Sequence, residues 1–204
     1  MTLSKILTKI DYASFSGCTS LQEIVIPDGV KKLGDDAFYG CTSLTEIDIP
    51  DSVTEIGSYV FSGCVSLEEI TIPDNVTKMG VNEHGEPYGS VFSGCITLSK
   101  VKLSNNLTKL ENSTFSDCTS LREITIPDSV TSIGGSAFSG CRSLESITIG
   151  SGVEQLDVDA FFKYSNAPVS CRRLANITVS PENKTYSSVD GVLFNKDKSE
   201  LLAY

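Results

Sequence analysis

Apolar and polar positions alternate along this chain in a pattern that recurs. Apolar residues fall two apart at Ile24 and Ile26, Ile47 and Ile49, Ile70 and Ile72, and Ile124 and Ile126. Period two predicts a short strand with both side chains on one face. Pro27, Pro50, Pro73 and Pro127 follow at once and end the strand, since proline has no N–H to give a ladder. A segment Val-x-x-Ile/Leu-Gly, as in Val53 to Gly57 and Val130 to Gly134, then offers two more apolar side chains before a bend. Gly34, Gly57, Gly80 and Gly134 are expected there to hold a backbone conformation that other residues resist.

The unit closes with a turn of the type Ala-Phe-x-Gly-Cys, which brings a phenylalanine inward. Its cysteines stand at 18, 41, 64, 95, 118, 141 and 171, spaced by 23, 23, 31, 23, 23 and 30 residues. A leucine follows each cysteine three residues later, from Leu21 to Leu174. A coil of 23 residues cannot bury these side chains against itself, whereas stacked coils can lay like on like. The expected core is therefore a double column: Phe15, Phe38, Phe61, Phe92, Phe115, Phe138 and Phe161 beside Cys18, Cys41, Cys64, Cys95, Cys118 and Cys141. Strand stacking at about 4.8 Å makes seven coils a rod on the order of 35 Å long.

Residues 1–204 read as one repeat domain. Leu3, Leu7, Ile10 and Phe15 match Ile26, Val30, Leu33 and Phe38, so a partial first coil occupies 1–20, as expected of a piece cut from a longer array. The two long spacings are insertions at 81–90 and 162–170. Asp11, Glu111 and Asp157 replace the bend glycine, and Ser104 and Gly150 replace the proline. At about 183–204 a hairpin-like cap, turning at Asp190-Gly191, is expected to lay Leu193, Leu201 and Leu202 over the last coil.

The pattern L-x-x-I-x-I-P-x-x-V-x-x-I-G-x-x-A-F-x-G-C-x-S resembles the BspA-like, or Treponema-pallidum-type, bacterial leucine-rich repeats over about residues 3–180. The tail, with Asn183, Tyr186 and Asp190 to Phe194, resembles that family's irregular last coil. The resemblance implies an α/β-type repeat solenoid: a right-handed leucine-rich-repeat superhelix, mostly β, with parallel strands on the concave face and short helical or 3-10 turns and loops opposite. It also implies an extracellular or bacterial cell-surface protein concerned with adhesion, and no reaction.

Little in the sequence suggests chemistry. No two cysteines lie closer than 23 residues, so paired zinc ligands are absent, and parallel ladder positions do not offer a disulfide its dihedral. The cysteines read as buried thiols, and no metal or other cofactor is expected. His84 is the only histidine, in a loop, which leaves a catalytic triad without its parts. A formal charge of −10 argues against nucleic acid, and no run of 18 apolar residues argues against membrane insertion.

Function is then sought where the repeat varies. Outward strand positions form two columns whose charged and polar members include Glu23, Glu46, Glu69, Lys100 and Glu123 in one, and Asp48, Thr71, Lys102 and Thr125 in the other. Stacked glutamates at about 4.8 Å repel unless a cation or basic partner relieves them. The insertions add His84, Tyr88 and Tyr164. These twelve residues are the candidate contacts of a protein ligand on an otherwise monomeric, non-catalytic module. The other reading is a stiff spacer that binds nothing.

Overall fold

The computed structural model describes residues 3–157, 159–161 and 171–203. The repeat pattern becomes a solenoid of parallel ladders. The first ladder carries the Ile-x-Ile segments: Glu69–Thr71 pairs with Lys100–Lys102, and Ser146–Ile149 sits between Glu123–Ile126 and Asn176–Val179. A bridge between Val25 and Asp48 extends it towards the first coil. Along each strand exposure alternates with burial, as in Glu123–Ile126, where Ile124 and Ile126 face the core.

The Val-x-x-Ile segment, read from sequence only as two apolar positions, forms a second parallel ladder. Lys9–Ile10, Lys32–Leu33, Glu55–Ile56 and Lys78–Met79 make one sheet, and Lys109–Leu110, Ser132–Ile133 and Gln155–Leu156 another. Its outward column is charged from Lys9 to Lys109, and Glu55 lies 3.6 Å from Lys32 and 3.4 Å from Lys78 on the flanking coils.

A third face is the most regular. The Ala-Phe-x-Gly-Cys segments are turns, yet the five from Phe15 to Phe115 each give three backbone N–H groups to the next coil, as Asp36 to Ser58, Phe38 to Val60 and Gly40 to Ser62 at 2.8–2.9 Å. This register continues from Phe15 with Ala37 to Phe138 with Ala160, across the insertion at 81–90. Helical or 3-10 turns were expected here, and bonds between residues three apart do occur, as from Cys41 N–H to the Phe38 carbonyl. No helix forms among the described residues. Left-handed residues recur too often: Ala13, Asp36, Tyr59, Ser90, Ser113 and Ser136 have φ of 51–57°, and Gly17, Gly40, Gly63, Gly94 and Gly140 have φ of 66–77°.

The bend glycines act differently from expectation. Of Gly34, Gly57, Gly80 and Gly134, only Gly80 has a left-handed φ. At Gly34 and Gly57 it is space that is short: a Cβ on Gly34 would sit 2.8 Å from the Tyr12 nitrogen, and one on Gly57 2.7 Å from the Asp35 nitrogen. Adjacent coils touch backbone to backbone at this corner.

One hydrophobic cluster runs from Ile10 to Ala203. Its axis is the phenylalanine column, with successive ring centroids 5.3–5.8 Å apart and planes within 16° of parallel from Phe15 to Phe161. Cys41, Cys64, Cys95, Cys118, Cys141 and Cys171 are buried beside it. Two of the expected core residues are corrected. Cys18 is exposed and Phe15 only half buried, because they form the first rung and no described coil covers their outer side.

At the other end Tyr186–Val189, Val192–Asn195 and Leu201–Ala203 form an antiparallel sheet that turns at Asp190 and Gly191, both with positive φ. Leu193 and Ala203 point to the core, whereas Leu201, expected over the last coil, is 60% exposed. Leu201 and Ala203 fall on the same side of the alternating strand, and only Ala203 reaches the core.

Candidate functional site

Two adjoining grooves lie over the first ladder. The larger, about 630 Å³, is walled by Glu46, Asp48, Glu69, Thr71, Lys100 and Lys102, with Asp51 and Asp74 at its Pro-Asp corner. The smaller, about 390 Å³, continues past Lys100 and Lys102 to Glu123, Thr125, Ser146 and Thr148. Strand pairing places these side chains in register: Glu69 beside Lys100, Thr71 beside Lys102, and Glu123 beside Ser146. Eight of the twelve residues expected from the sequence thus meet on one surface, all of them exposed.

Three of the remaining four lie elsewhere. Glu23 is exposed on the preceding coil but lines neither groove. His84 and Tyr88 belong to the insertion, which leaves the second ladder through Gly80 and returns at Gly89, whose N–H donates to the Gly80 carbonyl at 2.8 Å. Within it Asn82 Oδ1 accepts from the N–H groups of His84 and Glu86, and Tyr88 Oη donates to Glu86 Oε2 at 2.9 Å. The loop is internally bonded and presents both rings to solvent. On the second ladder the Lys9 ammonium is held above its usual range first by Asp11, 2.8 Å away, and in smaller part by the charge of Glu83. Tyr164 lies outside the described residues.

Charge on the groove is incompletely matched. Lys100 Nζ lies 3.4 Å from Glu69 Oε2, with both side chains more than two-thirds exposed. Such a pair contributes little. Among the described residues Glu46, Asp48 and Lys102 have no ion-pair partner within 4.0 Å. At the corner, Asp74 accepts from the Asn105 backbone N–H at 2.9 Å and from its side-chain amide at 3.3 Å, and these bonds hold its carboxyl below the usual range. Asp51 and Asp74 are the groove residues that the sequence reading missed. Their signal was present, as Asp28, Asp51, Asp74 and Asp128 each follow the strand-ending proline.

The cysteines carry no reactive signature. Each buried thiol donates to the Phe carbonyl of the coil before it, as Cys64 to Phe38 at 3.2 Å and Cys118 to Phe92 at 3.1 Å. Burial pushes Cys41 up to about 11 and Cys95 to about 12, away from the thiolate that nucleophiles and metal ligands need. Among the described residues no group of three or more His, Cys, Asp or Glu could hold a metal ion, and no helix is long and apolar enough to cross a membrane.

Six copies of the family profile described as BspA type leucine rich repeat region match residues 1–84 and 88–189, interrupted only within the first insertion. The chain belongs to this family. No curated protein sequence matches it. Among solved structures it is similar to a leucine rich cell surface protein from Faecalibacterium prausnitzii A2-165, at 31% identity and a TM-score of 0.62 over 100% of this chain and 45% of that one. The T. pallidum leucine rich repeat protein is similar at 28% identity and a TM-score of 0.56, covering 87% of this chain and 67% of that one. The pneumococcal vaccine antigen PcpA shares the fold at 22% identity and a TM-score of 0.52, covering 100% of this chain and 45% of that one. The chain thus spans less than half the length of the Faecalibacterium and pneumococcal proteins.

Proposed function

We propose that this BspA-type repeat chain is a non-catalytic protein-binding module of a bacterial cell-surface or secreted protein, and that its first-ladder face engages a host or neighbouring-cell protein. The observation that carries the reading is the groove itself. The repeat fixes the buried columns from coil to coil, while the outward positions change sign from Glu46 and Asp48 to Lys100 and Lys102 over a concave surface of about 630 Å³. A solenoid offers such an extended surface to a partner that spans several coils. The inserted loop, internally hydrogen-bonded and carrying Tyr88, offers a second contact surface. The similarity to a protein described as a cell-surface protein supports the location.

The test is retention of a surface-protein ligand by the immobilised chain, compared with two variants. In one, E46K, E69K, K100E and K102E are combined; in the other, residues 81–88 are excised, which the Gly80–Gly89 hydrogen bond allows without rebuilding the coil. Both are expected to keep the parent melting temperature. Loss of retention in the first supports the groove and loss in the second the loop. Retention unchanged in both would leave the chain a spacer.

A further inference from the structure

The groove has a charge order that narrows what it can hold. Glu46 and Asp48 stand on one coil and Lys100 and Lys102 two coils further along, with Glu69 and Thr71 between them. Neighbouring strands are about 4.8 Å apart, so the unmatched Glu46 and Asp48 at one end and the unmatched Lys102 at the other are separated by about 10 Å along the solenoid axis. The middle is self-neutralising, since Glu69 and Lys100 lie 3.4 Å apart. A ligand of one sign would meet repulsion at one end. A ligand with both signs too close together would reach only one end.

Resting on the binding reading above, we propose that the groove takes an extended protein segment lying along the solenoid axis, with a Lys or Arg and an Asp or Glu three residues apart. In the polyproline II conformation residues three apart share one side and are separated by about 9 Å, which matches the span between the two ends. That conformation leaves its backbone N–H and C=O groups free. The groove supplies polar partners for them in Thr71, Asn75, Asn105 and Thr125. Asp51, on the coil of Glu46 and Asp48, adds to the anionic end, so the basic side chain seats there and the acidic one beside Lys102.

The experiment is an array of surface-tethered Gly/Ser decapeptides, acetylated or amidated at their free ends and probed with the full labelled chain. They carry Lys and Glu three apart, Lys and Glu adjacent, two Lys, two Glu, or no charge. The three-apart peptide is expected to retain at least five times more chain than any other at 25 mM salt, with the advantage gone at 500 mM. K100E/K102E should reverse the preference, so that the two-Lys peptide retains most. Equal retention by all peptides, a parent preference for two Lys, or a preference unmoved by K100E/K102E would overturn the proposal. So would salt-sensitive dimerisation in light scattering that the E46K/E69K/K100E/K102E variant abolishes, since the occupant would then be a second copy. Flat peptide retention with partner binding still lost in that variant would defeat this inference and leave the binding reading standing.

Discussion

The thiol of Cys41 donates to the carbonyl oxygen of Phe15, one coil back, at 3.1 Å, and the Cys18 N–H donates to the same oxygen. The pattern recurs to Cys171 and Phe138. It explains a cysteine where any small apolar residue would fill the space: the side chain is buried, yet it gives a second bond to a carbonyl that faces no water. Cys118→Ala should therefore cost about 1–2 kcal/mol in denaturant unfolding, from a lost weak donor and a small void. Cys18→Ala, at the exposed first rung, should cost close to nothing. Equal effects at the two positions would remove the carbonyl bond from the account.

Thiol reactivity follows from the same column. Native protein should modify one cysteine quickly, Cys18, and all seven after unfolding. For Cys95, burial lifts the pKa to about 12, so raising the pH from 7 to 9 should leave the buried thiols slow. Stopped labelling followed by peptide mapping checks this. Rapid labelling of the interior thiols in the native state would contradict it.

Phe61 stacks between Phe38 at 5.7 Å and Phe92 at 5.5 Å, whereas Phe15 has a single ring neighbour. Phe61→Ala should cost about 3–5 kcal/mol, the range for deleting a buried aromatic. Phe15→Ala should cost clearly less, since that ring is already half in solvent. The comparison is made by urea midpoints at equal slope.

Much of this was legible beforehand because a solenoid writes its core as columns. Phe, Leu and Ile recur at one spacing, and the first-ladder strands could be read from period two alone. The second ladder was not, because Lys32–Leu33 and its equivalents are two residues long and show no alternation. The third face was misjudged for a related reason: its residues hydrogen-bond between coils from turn conformations, and sequence rules for strands or helices describe neither. Gly57 was legible as special but not in kind, since a clash with Asp35 depends on how closely the next coil sits. Most of the groove followed from the outward columns, yet its separation from His84 and Tyr88 did not. Which face an insertion lies against is decided by contacts such as the Gly89 N–H to Gly80 carbonyl bond, which no spacing records.

Gly57→Ala tests the corner. A Cβ would lie 2.7 Å from the Asp35 backbone nitrogen, so the coils must part, at a cost of about 1–3 kcal/mol. Gly135→Ala is the control: the nearest atoms to its Cβ would be side-chain atoms, the Asp157 carboxylate at 3.3 Å and Asn112 Oδ1 at 3.9 Å, and the carboxylate can shift. A loss at position 57 no greater than that at 135 would refute close backbone approach.

Glu111 occupies the bend-glycine place on the coil after the inserted loop, half buried, and desolvation raises its pKa despite the nearby Lys109. The sign of the linkage follows. A carboxyl whose folded pKa lies above its unfolded value is charged in both states at pH 7 and is less well solvated when folded. The destabilisation is therefore fully present above the folded pKa and disappears below the unfolded value near 4.3. Glu111→Gln should raise the melting temperature at pH 7, and the gain should shrink as pH falls towards 4. Asp74→Asn should do the reverse, because the Asn105 bonds depress the Asp74 pKa and their stabilisation, present at neutral pH, is lost as pH falls through it. Melting curves of the two variants and the parent, followed from pH 7.5 to about pH 2, should converge from opposite sides, Glu111→Gln first and Asp74→Asn only below the depressed Asp74 pKa; a constant offset over that whole range for either would mean that its effect is steric and not electrostatic.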